Sequence, residues 1–588
     1  MSGEPSRQPS FAVLLGLAWL LMAGQMLAQG WAATAVTFSD TDDALRLVEV
    51  RNFLAGQGWF DMREPRLGLP PGYESHWSRL IDAGLAGLFL FFRVFTDTAM
   101  AERLMGVTWP LLWLLPTLIG VAAIAWRLAG REAALIVLLL AVLNMPGMQQ
   151  FKAGRIDHHN VQIALCLLAV AATMWSERVP WAGVAAGTMT GLSLAIGLEA
   201  LAFHALCGVA LGLRYVAEPS AAKALRVYGF ALAASTALAF LVSVGPDHWT
   251  RSVCDALAVN LAGAVIVAGM GVGVAARLGL GPWTRLAAML GVGAAAAAFY
   301  VAMQPQCLRG PFAQIDPALW PIWLDHVSEG LSLPAMFRSG SPTGIAMAAF
   351  PAVALVALLF FAYRTRDWRD VAVGLSAACF LISLAAMVAA IKVQPYVIWF
   401  GLPWVAAAAL QAFAWLNMTR LVPRVFVVLL LSPSIVTLGA ISLASVLGAD
   451  KDADADASRA ECMKRVHVAA LAALPSGFVV ANVVDWGAYL LAETPHRVLS
   501  APYHRLSESI LTAHRIFAAP PDTARTILSQ IGADYLVLCG PQGPAGLSRE
   551  TLDASLWGGL QAGRAPDWLD QLQLDAGPWK VYRVKSRL

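Results

Sequence analysis

Three charged segments of the chain combine residue types that suit metal-assisted displacement. The first runs Asp40-Thr41-Asp42-Asp43, continues through Arg46 and Arg51, and ends on Gly-Gln-Gly-Trp-Phe-Asp at 56–61. The second is Lys152-Ala153-Gly154-Arg155-Ile156-Asp157-His158-His159, and the third is Asp325-His326-Val327-Ser328-Glu329. Carboxylate oxygens and an imidazole nitrogen bind a divalent cation such as Mn²⁺ or Mg²⁺, which neutralises a phosphate leaving group. Lys152, Arg155 and Lys392 are the cations placed to hold the remaining phosphate oxygens. Taken singly, each cluster also fits a solvated loop, and His158 fits a plain cap on the helix that follows it. No Ser/His/Asp arrangement, HExxH motif or Gly-rich nucleotide loop competes with the metal chemistry.

The elements that must position these loops are membrane helices. Of the residues, 58% are apolar and 13% charged, against roughly 45–50% and 25% in soluble domains. Lipid is therefore the main solvent. The net charge of +3 is spread over loops, which argues against nucleic-acid binding. Thirteen apolar runs can span or nearly span a bilayer, at 11–29, 106–126, 133–147, 159–175, 181–198, 200–216, 226–245, 256–276, 286–303, 342–362, 371–391, 396–416 and 425–447. The first is read as an uncleaved anchor, although Ala33-Thr34-Ala35 mimics a signal cleavage site. A further run at 80–95 decides the topology. If it lies in the interface, the cations Arg7, Arg127, Arg131, Arg178, Arg214, Lys223, Arg226, Arg277, Arg285, Arg364, Arg366, Arg369, Arg420 and Arg424 all share one side, and the positive-inside rule makes that side cytoplasmic. The segment 31–104, the loops near 149–158, 246–255 and 304–341, and everything after 447 then face outward. All three carboxylate clusters meet on that face, where ionisable groups at membrane depth tend to mark function.

Beyond 447 the texture changes. An acidic spacer, Asp450-Lys451-Asp452-Ala453-Asp454-Ala455-Asp456, leads into short β-rich runs (478–484, 497–501, 535–539, 579–584) alternating with helical stretches such as 522–531 and 549–561. This predicts a C-terminal α/β domain over 448–588 following a membrane domain over 1–447. Cys166, Cys207 and Cys379 sit in apolar runs as small hydrophobes. Cys254 with Cys307, and Cys462 with Cys539, fall on the oxidising side, where either pair can form a disulfide. No internal repeat is present.

At these residues the chain resembles the GT-C superfamily of membrane glycosyltransferases, and within it the catalytic subunits of oligosaccharyltransferases. Bacterial members place Arg nine residues and Gly fourteen residues after a catalytic Asp; Asp42, Arg51 and Gly56 match that spacing. Other members show Asp-Pro-x-x-x-x-Arg, which Asp40 and Arg46 match apart from the Pro. Gly154, Asp157 and His159 resemble Gly-x-x-Asp-x-Asp/Glu with His in the last position, and His326-Val327-Ser328-Glu329 resembles the motif ending in Glu of the late external loop. The family's Trp-Trp-Asp-Tyr-Gly, which reads the hydroxyl residue of the acceptor sequon, is represented at best by Val483-Val484-Asp485-Trp486-Gly487. In place of the family's late phosphate-binding Arg stands Lys392, a workable ligand without the bidentate fork.

The resemblance implies a polytopic α-helical GT-C-like protein of about thirteen transmembrane helices in a bacterial inner membrane, with a periplasmic C-terminal α/β domain. It further implies an inverting transferase that moves a sugar or oligosaccharide from a polyprenyl-phosphate or polyprenyl-diphosphate donor. The acceptor is a glycolipid, polysaccharide or protein, and the donor's lipid tail lies between the helices. Asp42 orients and activates the acceptor and binds the metal, with Asp40 as second choice. Asp157, His159 and Glu329 complete the metal shell. Lys152, Arg155, His158, Lys392, Arg51 and Glu199 contact donor groups, while Trp486, Tyr503 and His504 shape the acceptor cleft. Glu199 has an equal structural reading, a carboxylate hydrogen-bonded between helices. A transporter or lipid flippase is the alternative from another class, and a non-catalytic assembly subunit is a third. The absence of repeats and the gathering of carboxylates on one face weigh against the transporter.

Overall fold

The computed structural model describes residues 10–338, 342–365, 370–446 and 453–585. Arg7, Arg366, Arg369 and the acidic spacer at 450–452 lie outside the described residues, as do the side chains of Asp454 and Asp456.

The membrane part is a helical bundle whose helices follow the apolar runs. Among the described residues, seven helices are long and apolar enough to cross a membrane, or eight if the bent pair Leu421–Leu430 and Pro433–Val446 is one span. Four shorter apolar helices accompany them: His159–Trp175, Ala182–Ile196, Leu201–Ala217 and Val259–Ala275. The chain is thus a multi-pass membrane protein. Two of the expected runs, 106–126 and 133–147, form one long helix, Thr98–Val142, broken at Ala129 and Gly130. Gly130 has φ +82°, a backbone state for which glycine is the cheapest residue. The turn between Leu430 and Pro433 bends the last pair by 52°, as proline cannot continue the hydrogen-bond ladder. Gly183, Gly187 and Gly191 put a bare stripe on the Ala182–Ile196 helix, and a Cβ on Gly187 would come within 2.5 Å of the Tyr228 carbonyl oxygen. Small residues at this spacing let two helices approach closely where lipid supplies no hydrophobic drive.

The 80–95 run is the helix Arg79–Arg93. Its first turn is anchored by charge: Asp82 is fully buried and receives Arg46 at 2.7 Å and Arg79 at 3.1 Å. Arg46 also lies 4.3 Å over the Trp77 ring. The far end of this helix is apolar and exposed, with Leu90 and Phe91 outward, which fits a helix lying at a membrane surface.

The C-terminal part carries a five-stranded sheet. The first external segment forms a small hairpin of β1 (Arg63–Glu64) and β2 (Tyr73–Glu74). The sheet is built from β3 (Phe478–Ala481), β4 (Arg497–Val498), β5 (Tyr535–Leu538), β6 (Leu569–Leu572) and β7 (Lys580–Val584) in the order β4-β3-β5-β7-β6. β3 pairs parallel with both β4 and β5, and β7 runs antiparallel between β5 and β6. β6 was not among the expected runs; its burial is patchy, with only Leu569 buried, so it carries little apolar signal. Both candidate disulfides are formed, Cys254–Cys307 and Cys462–Cys539, and the other three cysteines are free and buried.

The two parts share a core. Ala44, Leu45, Val48, Leu67, Tyr73 and Trp77 of the first external segment pack in one apolar cluster with Trp486, Tyr489, Val498 and Tyr503 of the C-terminal part. The backbone joins them as well: Val498 N donates to Arg66 O at 2.7 Å and Gly68 N to Val498 O at 2.8 Å. The exposed edge of β4 is thereby covered by the first external segment, which fixes the Asp40–Asp43 region against the sheet domain.

Candidate active site

Two loops from distant parts of the sequence are clasped by Arg155 and Asp43. Asp40 caps the Thr41–Leu54 helix, accepting from Thr41 N at 2.6 Å. Its other oxygen accepts from Arg155 Nη1 at 2.7 Å. Asp43, fully buried, accepts from the backbone N–H groups of Ile156 (2.8 Å) and Asp157 (3.1 Å) and from Arg155 Nη1 at 3.3 Å. Arg155 Nη2 lies 2.8 Å from Asp157 Oδ2 at an angle that makes an ion pair rather than a hydrogen bond, so Oδ2 keeps an open lone pair. Gly154 carries φ +93°, and a Cβ there would press on Thr34 and Ser39, so the sharp turn into this loop suits only glycine.

The clasp brings the ligands together. Asp42, Asp157 and His159 place two carboxylate oxygens and an imidazole nitrogen within 4.8 Å of one another. His159 N donates to Asp157 Oδ1 at 2.6 Å, and His159 Nδ1 meets Glu199 Oε2 at 2.8 Å. Glu199 in turn accepts from the Tyr396 hydroxyl at 2.7 Å. This is the orienting contact that a metal-binding imidazole characteristically makes through its second nitrogen. Both readings of Glu199 therefore apply, since it bonds between helices and also lines a cavity.

Electrostatics distinguish the two acids. Burial and then repulsion from Asp40 and Asp157 push Asp42 well above the usual carboxylate range, only partly offset by Arg155. Burial raises Asp43 to about 7, against the pull of Arg155. For Asp157 burial also acts upward, but Arg155, then His159 and His158, overcome it and hold the group below its ordinary value. Burial lowers His158 to about 4, leaving a neutral ring stacked near Trp77 and His159. Asp42 is thus the carboxylate short of positive charge, and a divalent cation held among Asp42, Asp157 and His159 would supply it. The donor set, two oxygens and one nitrogen, suits such an ion.

Two cavities meet at these residues. One, about 520 Å³, reaches among the helix ends and is lined by His158, His159, Glu199, Lys392 and Tyr396. The other, about 630 Å³, lies against the sheet domain and is lined by Asp40, Val483, Val484 and Asp485. Asp42 and Glu329 line both. Glu329 is exposed and acts on Asp42 by charge; it faces the ligand cluster rather than joining it.

Several expected residues are placed elsewhere. Arg51 makes a two-pronged pair with Glu102, both at 2.8 Å, and donates to Ala492 O, which ties the first segment to the sheet domain and spends its charge there. Arg155 is consumed by three carboxylates and has no fork left for phosphate. Lys152 is exposed and lines neither of these cavities. Trp486 is fully buried with its indole donating to Cys539 O at 3.1 Å, so it belongs to the domain core and not to a cleft wall. Gly487 beside it is required by close approach, because a Cβ would fall 1.8 Å from Ser500 O. Tyr503 lines the membrane-side cavity, its hydroxyl donating to Thr41 O at 3.0 Å. His504 lines the same cavity and meets Asp255 at 2.7 Å. Arg505 grips that Asp255 with two bonds of 2.7 and 2.8 Å. Asp43, Tyr396 and Asp255 carry parts of the site that the motifs did not assign.

No protein-family model matches the sequence, and no curated protein does either. Solved structures do. The oligosaccharyltransferase of Archaeoglobus fulgidus in its apo form superposes with a TM-score of 0.65 at 14% identity, covering 90% of this chain and 69% of that one. The same archaeal protein, AglB, in complex with an inhibitory peptide and a dolichol-phosphate gives 0.63 at 14% identity, again over 90% and 69%. Its complex with zinc and sulfate gives 0.59 at 15% identity, over 89% and 67%. At such identities the likeness is one of fold. The chain shares the fold of this archaeal oligosaccharyltransferase.

Proposed function

We propose that this protein is an inverting glycosyltransferase that moves a sugar or oligosaccharide from a polyprenyl-phosphate or polyprenyl-diphosphate carrier to an acceptor at the outer face of a bacterial inner membrane. The observation that carries the reading is the position of Asp42 and Glu329, each shared by a cavity that enters the helix bundle and a cleft against the sheet domain. A transferase needs one acidic centre open to both substrates. In this reading thirteen crossings leave the sheet domain and all three acidic loops in the periplasm.

The donor enters from the membrane side, its lipid between helices and its phosphate near Lys392 and Tyr396. The acceptor enters along the sheet domain. Asp42 accepts the proton of the attacking atom as that atom bonds to the anomeric carbon from the face opposite the phosphate, and the carbon–oxygen bond to the carrier breaks. A divalent metal, Mn²⁺ or Mg²⁺, held by Asp42, Asp157 and His159 with Glu329 nearby, supplies charge neutralisation for the leaving phosphate. Arg155 and Asp43 hold Asp157 in register, and Glu199 fixes the His159 ring.

The acceptor differs from a sequon-bearing peptide. Val483 and Val484 line the cleft where the resembling family has paired Trp, and Trp486 is turned into the core. Val483 and Val484 offer no polar donor to leave unsatisfied, so this stretch of the wall discriminates poorly between Thr and Ala. A glycolipid, a surface polysaccharide or a protein without an Asn-x-Ser/Thr requirement fits better. The deciding experiment incubates the purified protein with radiolabelled lipid-linked sugars and divalent metal, then identifies what becomes labelled. Label that never leaves the lipid, with any acceptor fraction, refutes the proposal.

A further inference from the structure

Three side chains outside the Asp42 cluster converge in the lining of the membrane-side cavity. One nitrogen each of His76 and His504 and one carboxylate oxygen of Asp255 lie within 4.8 Å of one another. All three residues are half-buried and line that cavity. None belongs to the group formed by Asp42, Asp157 and His159. They come from three separate parts of the chain. His76 follows β2 in the first external segment, and Asp255 lies in the loop before the Val259–Ala275 helix. His504 belongs to the sheet domain, just ahead of the Ser507–Ala518 helix.

Each of the three is held by a neighbour. Arg505 donates to both oxygens of Asp255, at 2.7 and 2.8 Å, and the Cys254–Cys307 disulfide anchors the backbone beside it. The Tyr73 hydroxyl stands 3.5 Å from His76 Nδ1, which leaves the other ring nitrogen available. The His504 ring lies 4.7 Å from the His76 ring, and its Nε2 meets Asp255 Oδ2 at 2.7 Å. Partners of this kind, behind the ligand atoms, are what orient a metal shell.

The donor types select the ion. Two imidazole nitrogens and one carboxylate suit Zn²⁺. Mg²⁺ and Mn²⁺ favour sets richer in oxygen, as the two carboxylates of the Asp42 cluster provide. A tetrahedral ion with bonds of about 2.0–2.1 Å keeps its ligands roughly 3.3 Å apart. His504 and Asp255 therefore need to part only slightly, and His76 to close in by a side-chain rotation. The ion replaces the hydrogen that bridges His504 Nε2 and Asp255 Oδ2, and the ring then carries its proton on Nδ1. Three protein ligands leave the fourth position open.

We infer that His76, Asp255 and His504 form a second metal site, selective for Zn²⁺, that ties the first external segment, the loop before the Val259–Ala275 helix and the sheet domain together. The open position faces the membrane-side cavity. The site is independent of the transferase reading, and it stands or falls without the Asp42 cluster.

The test uses full-length protein in detergent, stripped with EDTA, desalted, equilibrated with one equivalent of Zn²⁺ per chain and desalted again. An Asp42→Asn background breaks the other cluster, and metal content is read by mass spectrometry. About one zinc per chain is expected to stay bound. Adding His76→Gln or His504→Gln should lower the retained zinc about tenfold or more. Zinc should also shield both His76 and His504 from diethyl pyrocarbonate, mapped by peptide mass spectrometry, a measurement that needs no change at either histidine. Loss of all zinc in the Asp42→Asn background, with its melting transition intact, overturns the site. So does full retention in the histidine variants, or equal modification of both histidines with and without zinc.

Discussion

Asp42 and Asp157 lie in one ligand cluster, yet their replacement by asparagine is expected to move stability in opposite directions while abolishing the same activity. Two unit charges about 5 Å apart repel by about 3 kcal/mol at an effective dielectric of about 20. Asp42 bears such repulsion from Asp157 and Asp40, partly relieved by Arg155. Its pKa is raised in the folded state, so its contribution is favourable below pH 3.8 and is lost as pH rises through the folded value. At pH 7 without metal, Asp42→Asn removes the cost, set first by burial and then by Asp40 and Asp157, of holding this carboxyl charged or protonating it on folding, and stabilises by on the order of 1 kcal/mol. Asp157 is the reverse case. Its pKa is depressed, so its contribution is present above pH 3.8 and is lost as pH falls through the lower folded value. Losing it strips a buried partner from Arg155, a change that costs about 3 kcal/mol, the low end for broken buried pairs, because Asp40 and Asp43 remain.

Thermal unfolding of the detergent-solubilised protein, followed by tryptophan fluorescence in EDTA, reads both signs. Adding Mn²⁺ at about one hundred times its Kd should then stabilise wild type by about 2.7 kcal/mol and neither variant comparably. Metal-dependent transfer should fall by orders of magnitude in both. A drop in stability for Asp42→Asn, or an equal Mn²⁺ shift in wild type and Asp42→Asn, would refute the assignment of Asp42 as the carboxylate awaiting a cation.

Other consequences are open to direct measurement. Asp43→Ala orphans the buried N–H groups of Ile156 and Asp157, at about 1–3 kcal/mol each. It should unfold earlier than Asp43→Asn, which keeps an acceptor; matching melting curves for the two would count against the clasp. Glu329→Gln, at an exposed position, should lose at least tenfold in transfer with its melting temperature unchanged, and a smaller loss removes Glu329 from the site. Thr98→Cys and Gln149→Cys, with Cys166, Cys207 and Cys379 replaced and both disulfides kept, should each react with an impermeant maleimide in intact cells or spheroplasts. Protection of position 98 beside labelling of 149 would put the 79–93 helix across the bilayer. Purified enzyme that glycosylates Asn-x-Thr peptides and ignores Asn-x-Ala would contradict the acceptor reading drawn from Val483 and Val484.

What could be read from the sequence was what obeys local rules. Apolar runs mark helices because lipid leaves the backbone no other partner, and the C-terminal strands other than β6 follow short apolar runs. The acidic loops stood out because charge beside an apolar run is expensive unless used. The roles within them were less legible. Asp42 and Asp43 are adjacent and chemically identical, and only the three-dimensional neighbours separate them: Asp43 points to the backbone of 156–157, Asp42 to the cavities. Arg155 reads as a phosphate ligand because it stands among acids in a loop, but three carboxylates from two segments already surround it. Arg51 matched a motif spacing while its partner Glu102 lies in another element. Trp486 reads as a ring of the acceptor cleft only until Cys539, the residue after β5, takes its indole hydrogen. Pairings across hundreds of residues leave no periodic trace in one sequence.

The same pairings explain why the acidic cluster is assembled from both halves of the chain. The Asp40–Asp43 region is fixed to the sheet domain by β4 and by Tyr503, whose hydroxyl reaches Thr41 O. Opposite that region, Asp157 immediately precedes the His159–Trp175 helix, and His159 begins it. Arg155 and Asp43 are the joint between them. Movement of the sheet domain relative to the bundle would therefore be felt at Asp42 and Asp157 and at the cleft lined by Val483 and Val484 together. That coupling favours a single rigid acidic centre to which both substrates travel, over a transport cycle in which one half must rock against the other.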